Sequence, residues 1–480
     1  MKPYWQNYIA GAWVDGGAGR IAVENPGTGE VCAEHALADE YDVDQAVAAA
    51  RAFVDRNVWT DMRPMARGRI VQDMGRWFEA HSEEIATVLC TEQGKSMWEA
   101  RGEVANTAKY FDYFGAQAAL LEGRSIPLGA GYFDFTALEP YGVSAQIIPW
   151  NFPLEIAARS IACGFATGNA VIVKTSEMTP CASAYFVKAA LECGVPEGAL
   201  SVFTGLGAEA GAALAAHPGV DQIVFTGSVA TGAHIATAAA KNIVPCVLEL
   251  GGKSAAIVHE DADLDAFWTD IRKGIFVNSG QICSALSRVV AHESIHDELV
   301  ERIADVARAT PLSVGAEATE PMGAMGPMIS AKQRDRAVSM VSDAEADGAR
   351  VVCGGRAGNL PGFFMEPTVV ADVQPDMTIA QEEVFGPVVS VLKYRDESEA
   401  IQIANGTDYG LVAGVFTRDV DRAMRAARSL RAGQVFVNEW FAGGVETPFG
   451  GYGKSGYGRE KGQEALMNYV QTKNIAIRTR

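Results

Sequence analysis

One cysteine of the chain lies in a setting that suits nucleophilic chemistry. Cys283 ends the run 278–283, Asn-Ser-Gly-Gln-Ile-Cys, in which small and polar residues surround a glycine. Such a stretch lets a ligand approach the thiol closely, and a thiolate is a strong nucleophile. Most lone cysteines are core residues. The other seven cysteines form no Cys-X-X-Cys pair, and we interpret them as buried, reduced thiols of a cytoplasmic enzyme.

Two further polar side chains stand beside apolar runs. Glu249 opens the run 249–253, Glu-Leu-Gly-Gly-Lys, and a carboxylate beside such a turn can act as a general base. A solvated glutamate in a glycine turn is the commoner case. Asn151 lies in the run 149–153, Pro-Trp-Asn-Phe-Pro, where prolines fix the backbone on both sides of the amide. An Asx cap on the following helix explains this asparagine equally well.

A fourth run, 382–387, reads Glu-Glu-Val-Phe-Gly-Pro. It places the carboxylate of Glu383 two residues before the aromatic Phe385 and a Gly-Pro stop. A loop between two strands has the same composition. Each of the four runs alone is weak evidence for an active site. Whether they form one depends on the helices and strands that position them.

The bulk properties indicate a soluble globular protein. The chain has 480 residues, 48% hydrophobic and 21% charged, which suggests two to four domains at roughly 100–200 residues each. The net charge of −19 argues against a nucleic-acid partner. Neither a secretory signal pattern nor an apolar run of about 18 residues is present, so we expect a cytoplasmic protein without a membrane span.

Short apolar runs alternate with helical patterns from about residue 143 to residue 440. Strand, helix and strand in this order predict parallel α/β sheets. We expect helices from about 153 and up to about 193, and buried strands at 143–148, 170–174, 200–203, 222–226, 254–258 and 433–437. Outside this region we expect a strand pair within 1–20 turning at 15–17, long helices over 43–120, an exposed strand at 132–140 and a last strand at 474–478.

The run 292–296, His-Glu-Ser-Ile-His, matches the HExxH pattern of zinc proteases. That pattern requires both histidines on one helix face. Apolar residues before His292 instead predict a strand, and Ser294 is predicted to cap a new helix. We therefore predict a strand-to-helix junction and no metal site.

Taken together, Asn151, Glu249, Cys283 and the Glu383-Val-Phe385 run, in this order and spacing, resemble the aldehyde dehydrogenase superfamily. The resemblance covers essentially the whole chain and includes the runs 225–228 (Phe-Thr-Gly-Ser) and 448–456. Among its members the chain looks like the general NAD-linked, non-acylating enzymes, close to betaine aldehyde dehydrogenases. The fold implied is α/β: a Rossmann-like NAD-binding domain, an α/β catalytic domain and a small β oligomerisation element.

The resemblance also implies catalytic roles. Cys283 adds to the aldehyde carbonyl and forms a thiohemiacetal, and its backbone N–H and the Asn151 amide form the oxyanion hole. After hydride transfer a thioester remains, which Glu249 hydrolyses by activating water. Glu460 matches a position that assists proton transfer.

Further positions are implied to bind NAD. Lys174 and Glu177 hold the adenosine ribose, and the carboxylate there favours NAD over NADP because it repels a 2′-phosphate. Ser228 opens a helix at the pyrophosphate. The remaining implied contacts are Ile148, Pro149, Trp150, Gly207, Phe225, Thr226, Gly227, Leu250, Gly251, Gln333, Glu383 and Phe385.

The resemblance divides the chain into three parts. Residues 1–118 and 141–250 form the NAD-binding domain, 251–462 the catalytic domain, and 119–140 with 463–480 the oligomerisation element. Strand edges in the last part need a partner, so we expect a homodimer or homotetramer.

Arg159 raises the question of substrate. It lies eight residues beyond Asn151, on the helix expected from about residue 153. Eight residues of helix separate the two positions by about 80° around the axis, so Arg159 can face the aldehyde. Family members that oxidise acid semialdehydes often have arginine there, which suggests an anionic substrate; pairing with a structural carboxylate is the alternative. Val277 and the glycines at 443–444 depart from the semialdehyde pattern. Trp440 and Phe441 suggest a partly aromatic tunnel mouth that suits an apolar aldehyde.

Two other functions remain open at this point. Acylating aldehyde dehydrogenases pass the thioester to coenzyme A and lack the deacylating glutamate, so Glu249 argues against that class. A catalytically silent family member with a binding or structural role is the second alternative, and the intact Asn151 and Cys283 argue against it. An aldehyde panel with and without coenzyme A separates the three.

Overall fold

The computed structural model describes residues 1–479. Its strands are β1 (Tyr4–Trp5), β2 (Asn7–Ile9), β3 (Ala12–Val14), β4 (Arg20–Asn25), β5 (Glu30–Ala36), β6 (Ser125–Ile126), β7 (Tyr132–Pro140), β8 (Val143–Ile147), β9 (Ala170–Thr175), β10 (Leu200–Thr204), β11 (Gln222–Thr226), β12 (Cys246–Glu249), β13 (Ala255–Val258), β14 (Arg288–His292), β15 (Arg350–Cys353), β16 (Thr368–Ala371), β17 (Val388–Tyr394), β18 (Val412–Phe416), β19 (Gln434–Val437), β20 (Gly456–Tyr457) and β21 (Val470–Arg478).

The helices alternate with these strands in the order expected for α/β sheets. They are α1 (Glu40–Asp55), α2 (Val58–Asp61), α3 (Pro64–Ala80), α4 (Ser82–Gln93), α5 (Met97–Gln117), α6 (Pro153–Thr167), α7 (Ala184–Glu192), α8 (Ala212–Ala216), α9 (Val229–Asn242), α10 (Leu264–Ile275), α11 (His296–Arg308), α12 (Ala331–Ala346), α13 (Thr378–Gln381), α14 (Glu397–Ala404), α15 (Val420–Ser429) and α16 (Gly462–Met467). None of the helices in the described residues is long and apolar enough to span a bilayer.

The first large sheet has eight strands in the order β20-β12-β11-β8-β9-β10-β2-β3. The strands from β12 to β10 run parallel, and antiparallel strands close both edges. Strands β8 to β11 are buried along their whole lengths, as expected for parallel strands covered on both faces. The edge strand β20 comes from far along the chain and pairs Gly456 with Glu249.

The second large sheet has seven strands in the order β15-β16-β17-β14-β13-β18-β19. All are parallel except β15. Two apolar clusters lie on its faces, and a third, larger cluster surrounds the first sheet. The α/β fold class is therefore confirmed.

Strands β7 and β21 pair antiparallel over nine residues, and β6 completes this small sheet. The predicted strand at 132–140 is confirmed, and the last strand begins at Val470, four residues earlier than predicted. Several large apolar side chains project into solvent here: Tyr132, Phe133, Phe135 and Ile477.

The N-terminal region corrects two predictions. The hairpin β2–β3 turns at Ala10 and Gly11, whose φ angles are 51° and 85°, and not at residues 15–17. Strands β4 and β5, which form a separate sheet with β1 in the order β1-β5-β4, had no counterpart among the predicted elements. Their burial patterns are mostly exposed or mixed, so they carry little of the apolar alternation that identifies a strand.

The HExxH run is a strand-to-helix junction, as predicted. His292 ends β14 and His296 begins α11, so the two rings do not share a helix face. The predicted cap is wrong: Ile295 precedes the helix, and the Ser294 hydroxyl instead hydrogen bonds to Nδ1 of His292 at 2.7 Å.

Candidate active site

A cavity of about 600 Å³ brings together side chains from distant parts of the chain. Asn151 reaches it from the segment after β8, Glu249 from the end of β12, and Cys283 from the segment before β14. The carboxyl ends of parallel strands meet at one edge of a sheet, which is where open α/β folds bind ligands. The cavity is lined by Pro149, Trp150, Asn151, Thr226, Gly227, Ser228, Val229, Ala230, Glu249, Leu250, Gly251, Cys283, Gln333, Arg336, Gln381, Glu382, Glu383, Phe385, Asp408, Tyr409 and Lys454.

The thiol of Cys283 is half-buried and borders this cavity. Burial, together with the nearby carboxylate of Glu383, raises its pKa to about 12, so the thiol is protonated at neutral pH. The carbonyl of Cys283 packs against Gly252, where a Cβ atom would come within 2.5 Å of the carbonyl oxygen. A glycine is therefore required at 252 for the cysteine backbone to lie where it does.

Asn151 is buried, and its amide Nδ2 donates a hydrogen bond to the carbonyl of Gln281 at 3.0 Å. This bond fixes the amide beside the cysteine segment and leaves its second hydrogen for a ligand in the cavity. Phe152, and not Asn151, is the N-cap residue of α6, and that helix start has no side-chain cap. The alternative that Asn151 is an Asx cap is therefore wrong.

Glu249 is fully buried at the end of β12. Neither of its carboxylate oxygens has a hydrogen-bond partner within residues 1–479. Burial and the neighbouring charge of Glu460 raise its pKa well above the ordinary value for glutamate. A carboxyl group with a raised pKa is a stronger base once it is ionised, which suits proton abstraction from water. Gly450 leaves room for the Glu249 carboxylate, since a Cβ atom at position 450 would lie only 2.8 Å from Oε1 of Glu249.

Glu460 and Arg159 form a buried ion pair behind Glu249. Ser160 also donates to Glu460 at 3.2 Å, and Arg159 contacts the hydroxyl of Thr226 at 3.4 Å. The guanidinium is thus held by a carboxylate of the protein. The structure favours the structural-carboxylate alternative, and it does not support Arg159 as a reader of substrate charge.

The helix α9 begins at the cavity, and Ser228 caps it by accepting a hydrogen bond from the Thr231 N–H. Its free N–H groups make this end suitable for an anion such as a phosphate. On another wall, Oε1 of Glu383 accepts the N–H of Gly252 at 3.0 Å. The rings of Trp150 and Phe385 meet nearly at right angles, with centroids 5.3 Å apart.

Some of the predicted cofactor positions lie away from the cavity lining. Nζ of Lys174 is 3.6 Å from Oε2 of Glu177 at the end of β9, and Gly207 begins the π-helical turn Gly207–Gly211. Ile148 and Phe225 are buried, and the Phe225 ring packs beneath Gly227. The last two residues therefore shape the site through packing, and their side chains do not line the cavity.

Trp440 is fully buried, and its indole N–H donates to the carbonyl of Ser284 at 3.2 Å. Its ring also packs closely on Gly274 and Gly414, where an added Cβ atom would lie 3.2 Å and 2.6 Å from it. The prediction that Trp440 stands at a tunnel mouth is therefore replaced by a role in the core next to Cys283. Phe441 is partly exposed and has a positive φ of 65°.

Comparison with known proteins agrees with this geometry. Residues 13–475 match the family model described as "Aldehyde dehydrogenase family". The chain belongs to the aldehyde dehydrogenase family. It is 40% identical to retinal dehydrogenase 2 of Homo sapiens over 99% of this chain and 92% of that protein. It is an oxidoreductase that oxidises aldehydes to acids.

Solved structures of aldehyde dehydrogenases have the same fold. A putative aldehyde dehydrogenase from Burkholderia cenocepacia is 43% identical and superposes with a TM-score of 0.96, covering 99% of this chain and 100% of that one. An NAD+ complex of aldehyde dehydrogenase from Bacillus cereus is 36% identical, with a TM-score of 0.97 and coverage of 100% and 99%.

Sequence reasoning missed several residues that line the cavity of this aldehyde dehydrogenase. Arg336 donates hydrogen bonds to the backbone carbonyls of Glu383 and Val384, both at 3.0 Å. Lys454 and Asp408 form an exposed ion pair. Lys454 lies in the run 448–456, which is part of the family resemblance, so its position at the cavity could have been predicted from the sequence. Glu382 opens the run 382–387 described above, whereas Gln381 and Tyr409 have no local signal beyond ordinary polarity.

We predict that replacing Arg159 by leucine destabilises the protein. The change leaves Glu460 buried without its cation, and breaking a buried ion pair from one side costs about 3–5 kcal/mol. Chemical denaturation followed by circular dichroism measures the loss. The matched control is Arg308→Leu, which removes the exposed pair with Asp305 and should cost less than about 1 kcal/mol. Equal losses in the two variants would contradict the prediction.

Proposed function

We propose that this chain is an NAD-dependent, non-acylating aldehyde dehydrogenase that forms a thiohemiacetal and then a thioester on Cys283. The observation that carries the proposal is the content of one cavity. It holds a thiol, an amide donor fixed by its partner and a buried carboxylate without a hydrogen-bond partner in the described residues. These are the three groups that such a reaction requires.

The proposed chemistry begins when the Cys283 thiol gives its proton to the ionised carboxylate of Glu249 in the same cavity, which passes it on to solvent. The resulting thiolate attacks the aldehyde carbon. The carbonyl oxygen becomes an oxyanion, which the free amide hydrogen of Asn151 and the backbone N–H of Cys283 stabilise. Once the carbon has lost its hydride, a thioester remains on Cys283. Glu249 then accepts a proton from water, and the resulting hydroxide attacks the thioester and releases the acid and the Cys283 thiolate. Glu460, held by Arg159, lies close enough to Glu249 for its charge to raise the pKa of that carboxyl, and it is proposed to assist the proton transfer.

The residues around the cavity fit a dinucleotide. The start of α9 suits a phosphate, and the carboxylate of Glu383 can accept hydrogen bonds from ribose hydroxyls. Lys174 and Glu177 would hold the ribose at the adenosine end. The NAD+ complex of the Bacillus cereus relative supports NAD as the cofactor. When bound, NAD accepts the hydride that leaves the aldehyde carbon.

The three-part organisation follows the sheets. We propose that 1–118 and 141–250 form the cofactor domain around the first large sheet, and that 251–462 form the catalytic domain around the second. The short strand β20 is the exception, because it lies within 251–462 and pairs with the first sheet. Residues 119–140 and 463–480 are proposed as the oligomerisation element.

We predict distinct defects for the cysteine and the glutamate. Cys283→Ala should abolish dehydrogenase activity and leave NAD binding nearly intact, because no thiohemiacetal forms. Glu249→Gln should release about one NADH per site and then lose steady-state turnover by roughly 10²- to 10⁴-fold, because water is no longer activated. Stopped-flow absorbance of NADH measures both.

The same assay tests the alternatives. Full steady-state turnover of Glu249→Gln would overturn the deacylation role. Formation of acyl-coenzyme A on adding coenzyme A would indicate the acylating class. Absence of NADH across a broad aldehyde panel with the wild-type chain would overturn the proposed function altogether.

Glu177 is predicted to set the preference for NAD over NADP. Its carboxylate lies partly exposed beside Lys174, where a 2′-phosphate would meet like charge. Glu177→Ser should lower the ratio of kcat/KM for NAD to kcat/KM for NADP. The exposed carboxylate Glu209 offers a matched control, since Glu209→Ser should leave the ratio unchanged. If Glu177→Ser leaves the ratio of kcat/KM for NAD to kcat/KM for NADP unchanged, Glu177 does not set the cofactor preference.

The exposed apolar face of the β7–β21 sheet is predicted to be buried between subunits. Phe133 is 68% exposed and Ile477 is 46% exposed, and such faces mark protein contacts. Light scattering at micromolar concentration should give a dimer or tetramer, and Phe133→Asp should shift it towards a monomer. A monomeric wild-type protein would contradict the prediction.

A further inference from the structure

The main-chain carbonyl of Asn151 accepts hydrogen bonds from two buried side chains. Nζ of Lys95 donates at 3.0 Å, and Nδ2 of Asn278 donates at 3.0 Å. Both donors come from elsewhere in the chain: Lys95 lies between α4 and α5, and Asn278 lies five residues before Cys283. Two fixed donors on one carbonyl hold the peptide plane that carries the Asn151 side chain.

Lys95 is itself held by a fully buried ion pair with Glu103 on α5. The second oxygen of Glu103 accepts the backbone N–H groups of Leu154 and Glu155, at 2.9 and 3.1 Å. These are orphan donors in the first turn of α6. The ion pair therefore binds the backbone on both sides of Pro153. Lys95 binds the Asn151 carbonyl before it, and Glu103 binds the first N–H groups of α6 after it.

The same part of the chain also holds the segment before the nucleophile. Gln93 donates to Oδ1 of Asn278 at 3.0 Å, and Glu99 accepts the backbone N–H of Asn278 at 2.6 Å. Asn278 and Ser279 have φ angles of 49° and 54°. Two consecutive non-glycine residues in the left-handed region persist only where surrounding contacts impose them.

We propose that the buried Lys95–Glu103 ion pair positions the Asn151 amide for oxyanion binding beside the nucleophile. It is a positioning pair, since neither residue lines the cavity. Burying two charges is costly, and a hydrophobic pair of similar volume would often be at least as stable. The geometry gives the charges a different use, because the ammonium and the carboxylate bind backbone groups on either side of the catalytic amide. The inference rests on the proposed oxyanion role of Asn151.

The test is a double-mutant cycle on the pre-steady-state NADH burst of the full-length enzyme. Lys95→Met should slow the burst on the order of 10²-fold, the effect of misplacing a reacting group by about 1 Å. It should leave the dissociation constant of NAD unchanged. In an Asn151→Ala background the same substitution should change the burst rate by less than about twofold, because the group it positions is already absent.

A matched control is Arg101→Met on α5, the helix that carries Glu103. It removes an exposed ion pair with Glu83 and should leave the burst unchanged in both backgrounds. If Lys95→Met does not fold, Glu103→Gln serves in the same cycle, since its amide oxygen can still cap α6. An unchanged burst, or an equal loss in both backgrounds, overturns the positioning role. Failure of the proposed function gives a different result, namely no NADH from the wild-type enzyme with any aldehyde of the panel.

Discussion

The cost of removing a carboxylate from water governs the arrangement of this site. Four buried glutamates and the half-buried Glu383 lie in or near the first sheet and the cavity, and they meet that cost in different ways. Glu92 accepts two backbone N–H groups, Glu103 pairs with a lysine and caps a helix, Glu383 accepts one N–H, and Glu460 pairs with an arginine. Glu249 alone of the five has no hydrogen-bond partner in the described residues, and it borders the cavity.

This contrast separates Glu249 from the other four carboxylates. Burial raises the pKa of all five, but hydrogen bonds oppose that rise at Glu92, Glu103, Glu383 and Glu460. No hydrogen bond opposes it at Glu249, whose carboxylate oxygens stay free to meet a ligand in the cavity. Glu103 and Glu460 are committed to holding α6 and the segment under Glu249. The protein thus uses paired carboxylates as supports for one that is left unpaired, which agrees with the expectation that perturbed groups gather at functional sites.

The parts of the fold and site that the sequence predicted share a local signal. Glu249, Thr226 and Asn151 each stand at or just after the end of a short apolar run, and parallel pairing of those strands brings them to one edge. The partner of Arg159 could not be predicted, because it lies 301 residues away and any carboxylate would have served. Trp440 was misplaced for a related reason: an aromatic residue in a loop carries no mark of whether it faces a cavity or a core.

Strand β20 has a consequence for how the enzyme is made. It borders the first sheet beside β12, and the carboxylate of Glu460 follows it closely, whereas the rest of that sheet ends at Glu249. Translation at about 5–20 residues per second separates the two by roughly ten to forty seconds. During that interval the emerging polypeptide has an open sheet edge and Arg159 lacks the counter-ion that it has in the finished fold. Unpaired sheet edges of this kind favour aggregation, so the late docking of β20 removes a hazard that the first sheet carries during synthesis.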